Sequence, residues 1–244
     1  MDDVASFGLT AFILFGAYTL FGITGFGQSL VAMPLLAMIG SLKFFVPLMT
    51  LLDTVFVLWN MAKFRKQANY GELRVLLPPT IIGMLGGATI LLTAPERLLL
   101  LALGVLICGY GLYRLLGPKG RAQINRWLAI PLGLVAGAIS MTFGTGGPIF
   151  VAYLSSRIWD KGELRATILN VIVVTTTLRI IIFSASGLYA NAHIWWWWLF
   201  ALPACFAGVK LGHRLHDRLK SESLLFMIYI ILIVSGAALI VKNI

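Results

Sequence analysis

Two glycine-rich stretches interrupt otherwise apolar segments, "GFGQSL" at residues 25–30 and "GTGGPIF" at residues 144–150. Residues of these types in such a place suit one kind of chemistry, the capture of a small anion by the backbone. Where a helix starts after a break, its first N–H groups lack an intrahelical acceptor, and the aligned peptide dipoles add partial positive charge. An anion is attracted there without any lysine. Pro148 suits the first helical position because it has no N–H to lose. The candidate binding residues are Gly25, Gly27, Gln28 and Ser29 at the first break and Gly144, Thr145, Gly146 and Gly147 at the second. The competing reading is that glycines simply let helices approach closely. It is preferred for Gly83, Gly87, Gly208 and Gly212, which have small-xxx-small spacing.

Two charges fall well inside apolar segments, Asp53 and Arg179. Charges in hydrocarbon are costly and mark function by default. Burial raises a carboxyl pKa, so Asp53 is a candidate for proton coupling, with a hydrogen-bonded structural carboxylate as the equal alternative. Arg179 follows three consecutive threonines and either binds the anion or snorkels to an interface. Asn170 aligns with Asp53 when Thr50-Leu51-Leu52-Asp53 is laid over Thr167-Ile168-Leu169-Asn170. It joins the candidates as an uncharged polar ligand.

Other conspicuous residues have blander readings. The run from Trp195 to Trp198 begins a segment, as interfacial anchors do. His213, His216 and Asp217 lie in a basic juxtamembrane loop and read as solvated or lipid-facing rather than as metal ligands. Cys108 and Cys205 read as packing residues. The sequence contains no P-loop, His-Glu-x-x-His or Gly-x-Ser-x-Gly, which argues against an ATPase or a familiar hydrolase. No cofactor or metal is expected.

The elements that must position these residues follow from composition. Of 244 residues, 59% are hydrophobic and 11% charged, the balance of an integral membrane protein. Apolar segments are predicted at 7–24, 28–40, 44–63, 74–93, 97–115, 127–143, 147–159, 164–184, 193–212 and 222–242. The net charge of +10 gathers mainly in four short loops, at 63–74, 114–126, 157–165 and 210–220. Such loops stay cytoplasmic, so the charge reports topology rather than a nucleic-acid partner. Met-Asp-Asp at the start lacks the basic region of a cleaved signal peptide.

With the basic loops inside, residues 127–159 must enter and return, bending at residues 144–148. Their second limb is too short to cross about 30 Å of hydrocarbon. Residues 7–40 repeat that form. The chain therefore reads as one all-α polytopic domain of two halves, 1–117 and 125–244, each a broken or re-entrant hairpin followed by three crossings. The halves are inverted, with both termini outside. Inverted repeats around broken helices typify secondary transporters, whose substrate site lies near the midplane. The two helix starts, entering from opposite sides, are expected to converge on one small anion. An anion channel, or less readily a membrane-embedded enzyme, is the alternative. Partners are the anion and the lipid bilayer, with assembly into a homo-oligomer left open.

The glycine motifs resemble those of the sulfite exporter TauE/SafE family of membrane transporters, which carries two copies of Gly-x-Gly-Gly-Gly followed by Pro-Leu-Leu. "GFGQSLVAMPLL", residues 25–36, keeps Gly25, Gly27, Pro34, Leu35 and Leu36, with Gln28 and Ser29 replacing two glycines. "GTGGPIFVAYL", residues 144–154, keeps Gly144, Gly146 and Gly147, with Pro148 for the last glycine and Tyr153 for the later proline. The resemblance implies an inner-membrane protein that moves sulfite, sulfonates such as sulfoacetate, or related carboxylic anions.

Overall fold

The computed structural model describes residues 3–24, 27–64, 68–116, 124–216 and 221–244. Ten α-helices follow one another: α1 (Asp3–Thr24), α2 (Gln28–Ala37), α3 (Leu42–Phe64), α4 (Tyr70–Thr93), α5 (Glu96–Leu116), α6 (Ala129–Phe143), α7 (Gly147–Arg157), α8 (Lys161–Ala185), α9 (Ala192–His216) and α10 (Ser221–Asn243). A 3₁₀ turn, Arg126–Leu128, leads into α6. No strand occurs among the described residues, and the protein is all-α. Among them, six helices are long and apolar enough to cross a membrane. Large apolar side chains such as Phe12, Ile82, Val105, Ile181 and Val234 face outward, as lipid-facing residues do and water-facing ones rarely do in such number.

Helix starts carry chemical signals. Asp160 caps α8, its carboxylate accepting from Glu163 N at 2.7 Å. Asn69 does the same for α4, accepting from Glu72 N at 3.0 Å. Both helices begin three or four residues earlier than hydropathy alone suggests, because each carries its cap and an acidic residue in its first turn.

The helices form two compact units, and each draws on both halves of the sequence. One unit comprises residues 1–48, 94–118 and 191–244. In it α1 packs along α9, α5 along α10, and α2 lies against α1, α10 and α5. Small residues set the first two contacts. A Cβ on Gly22 would meet Gly212 Cα at 2.9 Å, one on Gly208 would meet Phe15 O at 2.5 Å, and one on Gly104 would meet Gly236 O at 2.9 Å. The other unit comprises residues 49–93 and 119–190. There α6 packs along α4, with α7 against α6 and α8. A Cβ on Gly87 would meet Ala138 O at 2.5 Å, and one on Gly83 would collide with Leu134 O. The expectation that Gly83, Gly87, Gly208 and Gly212 serve close packing is met at each position. Helix α3 begins in the first unit and continues in the second.

The pairings are reciprocal. Taking the ten described helices as two successive runs of five, the first helix of each run, α1 or α6, packs on the fourth helix of the other, α9 or α4.

Candidate functional site

The second break is the better defined. Helix α6 ends at Phe143, and Gly144 caps it in the left-handed region, φ 72°, with its N–H donating to Ser140 O at 3.0 Å. A side chain in that conformation costs about 1–2 kcal/mol, which is why the chain uses glycine there. Gly146 returns to right-handed geometry and precedes α7. The bonds of α7 start with Ile149 and Phe150, both donating to Gly146 O, so the N–H groups of Gly146 and Gly147 precede them. Pro148 sits in the first turn, as its missing N–H predicts.

The three tip residues divide their tasks. Gly146 is a packing glycine: an added Cβ would lie 2.6 Å from both Ala136 O and Ser140 Cβ. Gly147 is different, because an added Cβ there meets nothing within 4 Å. Between Gly144 and Gly146 stands Thr145, 4% exposed, whose hydroxyl has no hydrogen-bond partner among the described residues. An unmatched buried hydroxyl costs about 1–3 kcal/mol. Thr145 stands next to Gly146 and two residues before the open-faced Gly147 at the start of α7.

At the first break Gly25 lies outside the described residues. Gly27 takes φ 90° and precedes α2 with no side-chain cap. Leu30 N donates to Gly27 O at 3.1 Å, so Gln28 and Ser29 occupy the first turn ahead of the helix's own bonds. A Cβ on Gly27 would meet nothing within 4 Å. Helices α2 and α7 have 10 and 11 residues, about 15 Å and 17 Å at 1.5 Å per residue, well short of the hydrocarbon core.

Asp53 lies in α3 and is 3% exposed. Asn170 turns its amide onto its own helix, Nδ2 donating to Ala166 O at 2.8 Å. Thr167 is held by structure, accepting from Asn69 N at 2.9 Å and donating to Glu163 O at 2.7 Å. Arg179 is 4% exposed, so its side chain is enclosed by protein rather than extended to an interface. Its Nη2 donates to Thr176 Oγ1 at 3.4 Å. In the loop after α8, burial pushes the Tyr189 phenol above its ordinary value, and the positive charge of Arg179 partly opposes that rise.

The tryptophan run is split. Trp195 and Trp196 are exposed, while Trp197 is half-buried with its ring against Phe7, Phe44 and Phe45, its Nε1 donating to His193 Nε2 at 2.8 Å. His213 is exposed; the side chain of His216 and all of Asp217 lie outside the described residues. Cys108 in α5 and the buried Cys205 in α9 are both thiols rather than halves of a disulfide.

Sequence reasoning missed Glu72, a buried carboxylate in the first turn of α4 bonded to Tyr153 and Arg157 of α7. The polar residues around position 72 read as loop. The spacing Asn69-x-x-Glu72 is the capping signal that would have placed it on a helix.

An all-helical fold with outward-facing apolar side chains and six described helices long and apolar enough to span a bilayer defines an integral membrane protein. Residues 10–239 match the profile of the Sulfite exporter TauE/SafE family, and the chain belongs to that family. It is 30% identical over 176 residues, 71% of this chain and 73% of the relative, to a probable inner membrane transporter protein, TsaS, of Comamonas testosteroni. No solved structure matches.

Proposed function

We propose that this chain is a secondary transporter of the inner membrane that moves small organosulfur or related anions, sulfite and sulfonates such as sulfoacetate among them. The anion is held at the helix breaks. At the second, the N–H groups of Gly146 and Gly147 and the hydroxyl of Thr145 contact it, and Gly144 gives the chain its turn. The same task falls to Gly25, Gly27, Gln28 and Ser29 at the first break, with Asn170 and Arg179 contributing polarity and charge. Asp53 is the candidate coupling group. The observation that carries the reading is the buried Thr145 hydroxyl, unpartnered among the described residues, beside the open face of Gly147 at the start of α7. Family membership and the inner membrane transporter among its relatives support the same direction.

The reciprocal packing of α1 on α9 and α6 on α4 supports a two-fold repeat of five-helix halves. We infer that the halves are inverted, with both termini outside, and that access alternates as the hairpins rock against the remaining helices. Export of an anion from a negative-inside cell is favoured electrically and needs no coupling ion, whereas uptake needs one. The test is uptake of labelled sulfite and sulfoacetate by proteoliposomes, with sulfate and acetate as competitors. Saturable uptake with selective competition supports the reading. Flux no greater than in protein-free vesicles for every anion removes it.

A further inference from the structure

Glu72 is only 8% exposed, and its two carboxylate oxygens are divided between partners on α7. Oε2 accepts from Tyr153 Oη at 2.7 Å, and Oε1 accepts from Arg157 Nε at 3.3 Å and Nη2 at 3.2 Å. Arg126, in the turn ahead of α6, brings Nε to 4.0 Å from Oε1, and its Nη2 donates to Gly71 O at 2.8 Å. Asn69 extends the network to α8, its Nδ2 donating to Glu163 Oε1 at 2.8 Å.

The network joins the start of α4, the entry to α6, the end of α7 and the start of α8. Its charges balance, Glu72 and Glu163 against Arg126 and Arg157. A carboxylate can be buried this way because both oxygens are bonded and the charge is met; removing one partner leaves the rest uncompensated. Apolar packing alone would leave α7 freer. Phe150, Tyr153 and Leu154 face an apolar cluster with Leu73, Leu76 and Ala136, and such contacts do not dictate one register. Three directional bonds from two α7 side chains to one carboxylate do.

Helix α7 is 11 residues long, so its Arg157 end lies about 15 Å along the axis from its Gly147 end. A stiff rod of that length, clamped at one end, has its other end placed. We propose that Glu72 is a positioning residue for the second helix break: through Tyr153 and Arg157 it clamps the far end of α7 to α4 and thereby sets where Gly147 stands. The proposal deepens the transport reading and rests on it for its functional consequence, but the clamp is measurable without any substrate.

The test places a cysteine at Gly147, where the added side chain has open space, in a background lacking Cys108 and Cys205. Its labelling rate by a small charged thiol reagent is measured in proteoliposomes, beside the KM and maximal rate for sulfite of the parent chain and of variants retaining Gly147. Glu72→Gln and Arg157→Met should raise the labelling rate on the order of tenfold, the shift that loss of a charge-assisted hydrogen bond permits. They should also raise KM several-fold, whereas a merely structural role would lower the amount of folded protein and leave KM alone. Arg157→Lys, which keeps the charge, should fall nearer the parent. Tyr153→Phe removes one hydrogen bond and no charge, and it is the variant to read if Glu72→Gln does not fold. Labelling and KM at parental values in the folded variants would overturn the clamp while leaving transport standing. Altered labelling in the clamp variants of a parent that itself carries no anion would sustain the clamp and sink the transport reading instead.

Discussion

Substitutions at the adjacent glycines Gly146 and Gly147 should separate packing from ligand contact. At Gly146 a methyl group would stand 2.6 Å from Ala136 O and 2.6 Å from Ser140 Cβ, where ordinary contact begins near 3.4 Å. Neither neighbour is the end of a flexible side chain, so the tip must move as a whole. Overpacking of this kind costs about 1–3 kcal/mol. Gly146→Ala should therefore lower the melting temperature in detergent and reduce transport through the fold. At Gly147 the backbone is helical and the space open, so alanine meets nothing. The exchange should be neutral or stabilise by up to about 1 kcal/mol, because glycine loses more chain entropy on folding. Gly147→Leu fills the open side with four carbons while the fold survives. If the anion approaches the start of α7, Gly147→Leu should melt like the parent yet lose most saturable uptake, while Gly146→Ala loses both together. Full uptake by a folded Gly147→Leu protein would refute the ligand argument, and parental stability in Gly146→Ala would refute the packing argument.

Further outcomes follow from the same geometry. Thr145→Val removes a hydroxyl with no hydrogen-bond partner among the described residues, so stability should hold or rise by about 1 kcal/mol while KM for sulfite rises several-fold; a fall in melting temperature with unchanged KM would show the hydroxyl to be structural. Asp53→Asn keeps the shape and removes the titrating group, so a coupling role predicts folded protein whose uptake no longer responds to an imposed pH gradient, and a retained response excludes Asp53 as the coupling group. Single cysteines at Gly120 and Gly187 should react with impermeant reagents from opposite faces of the membrane, and reaction from one face would end the case for inverted halves.

Much of the architecture was legible because a membrane turns hydropathy into geometry. Apolar runs located each described helix, and the glycine clusters, joined by Pro148 at the second, located both breaks, Gly27 and Gly144 taking the positive φ that only glycine adopts readily. Individual glycine roles were not legible. Gly146 and Gly147 are identical in sequence terms, and only the position of Ala136 and Ser140 distinguishes the packed one from the open one. Long-range exchange was equally hidden, since nothing local in α1 says that it packs on α9. Glu72 was overlooked for a physical reason. A carboxylate at the polar end of a span looks like loop unless its cap and its partners, here Tyr153 and Arg157 some 80 residues away, are known. Trp197 reads as an interfacial anchor, and only the structure shows that Phe7, Phe44, Phe45 and His193 gather around its half-buried ring.

The central claim is that a small anion is carried at the start of α7. The most direct test is counterflow: labelled sulfite entering proteoliposomes preloaded with unlabelled sulfite, compared between the parent and Gly147→Leu. The account predicts that preloading accelerates entry in the parent and that the acceleration vanishes in the folded variant. Entry that ignores the preload, or acceleration that survives a leucine at position 147, would contradict it.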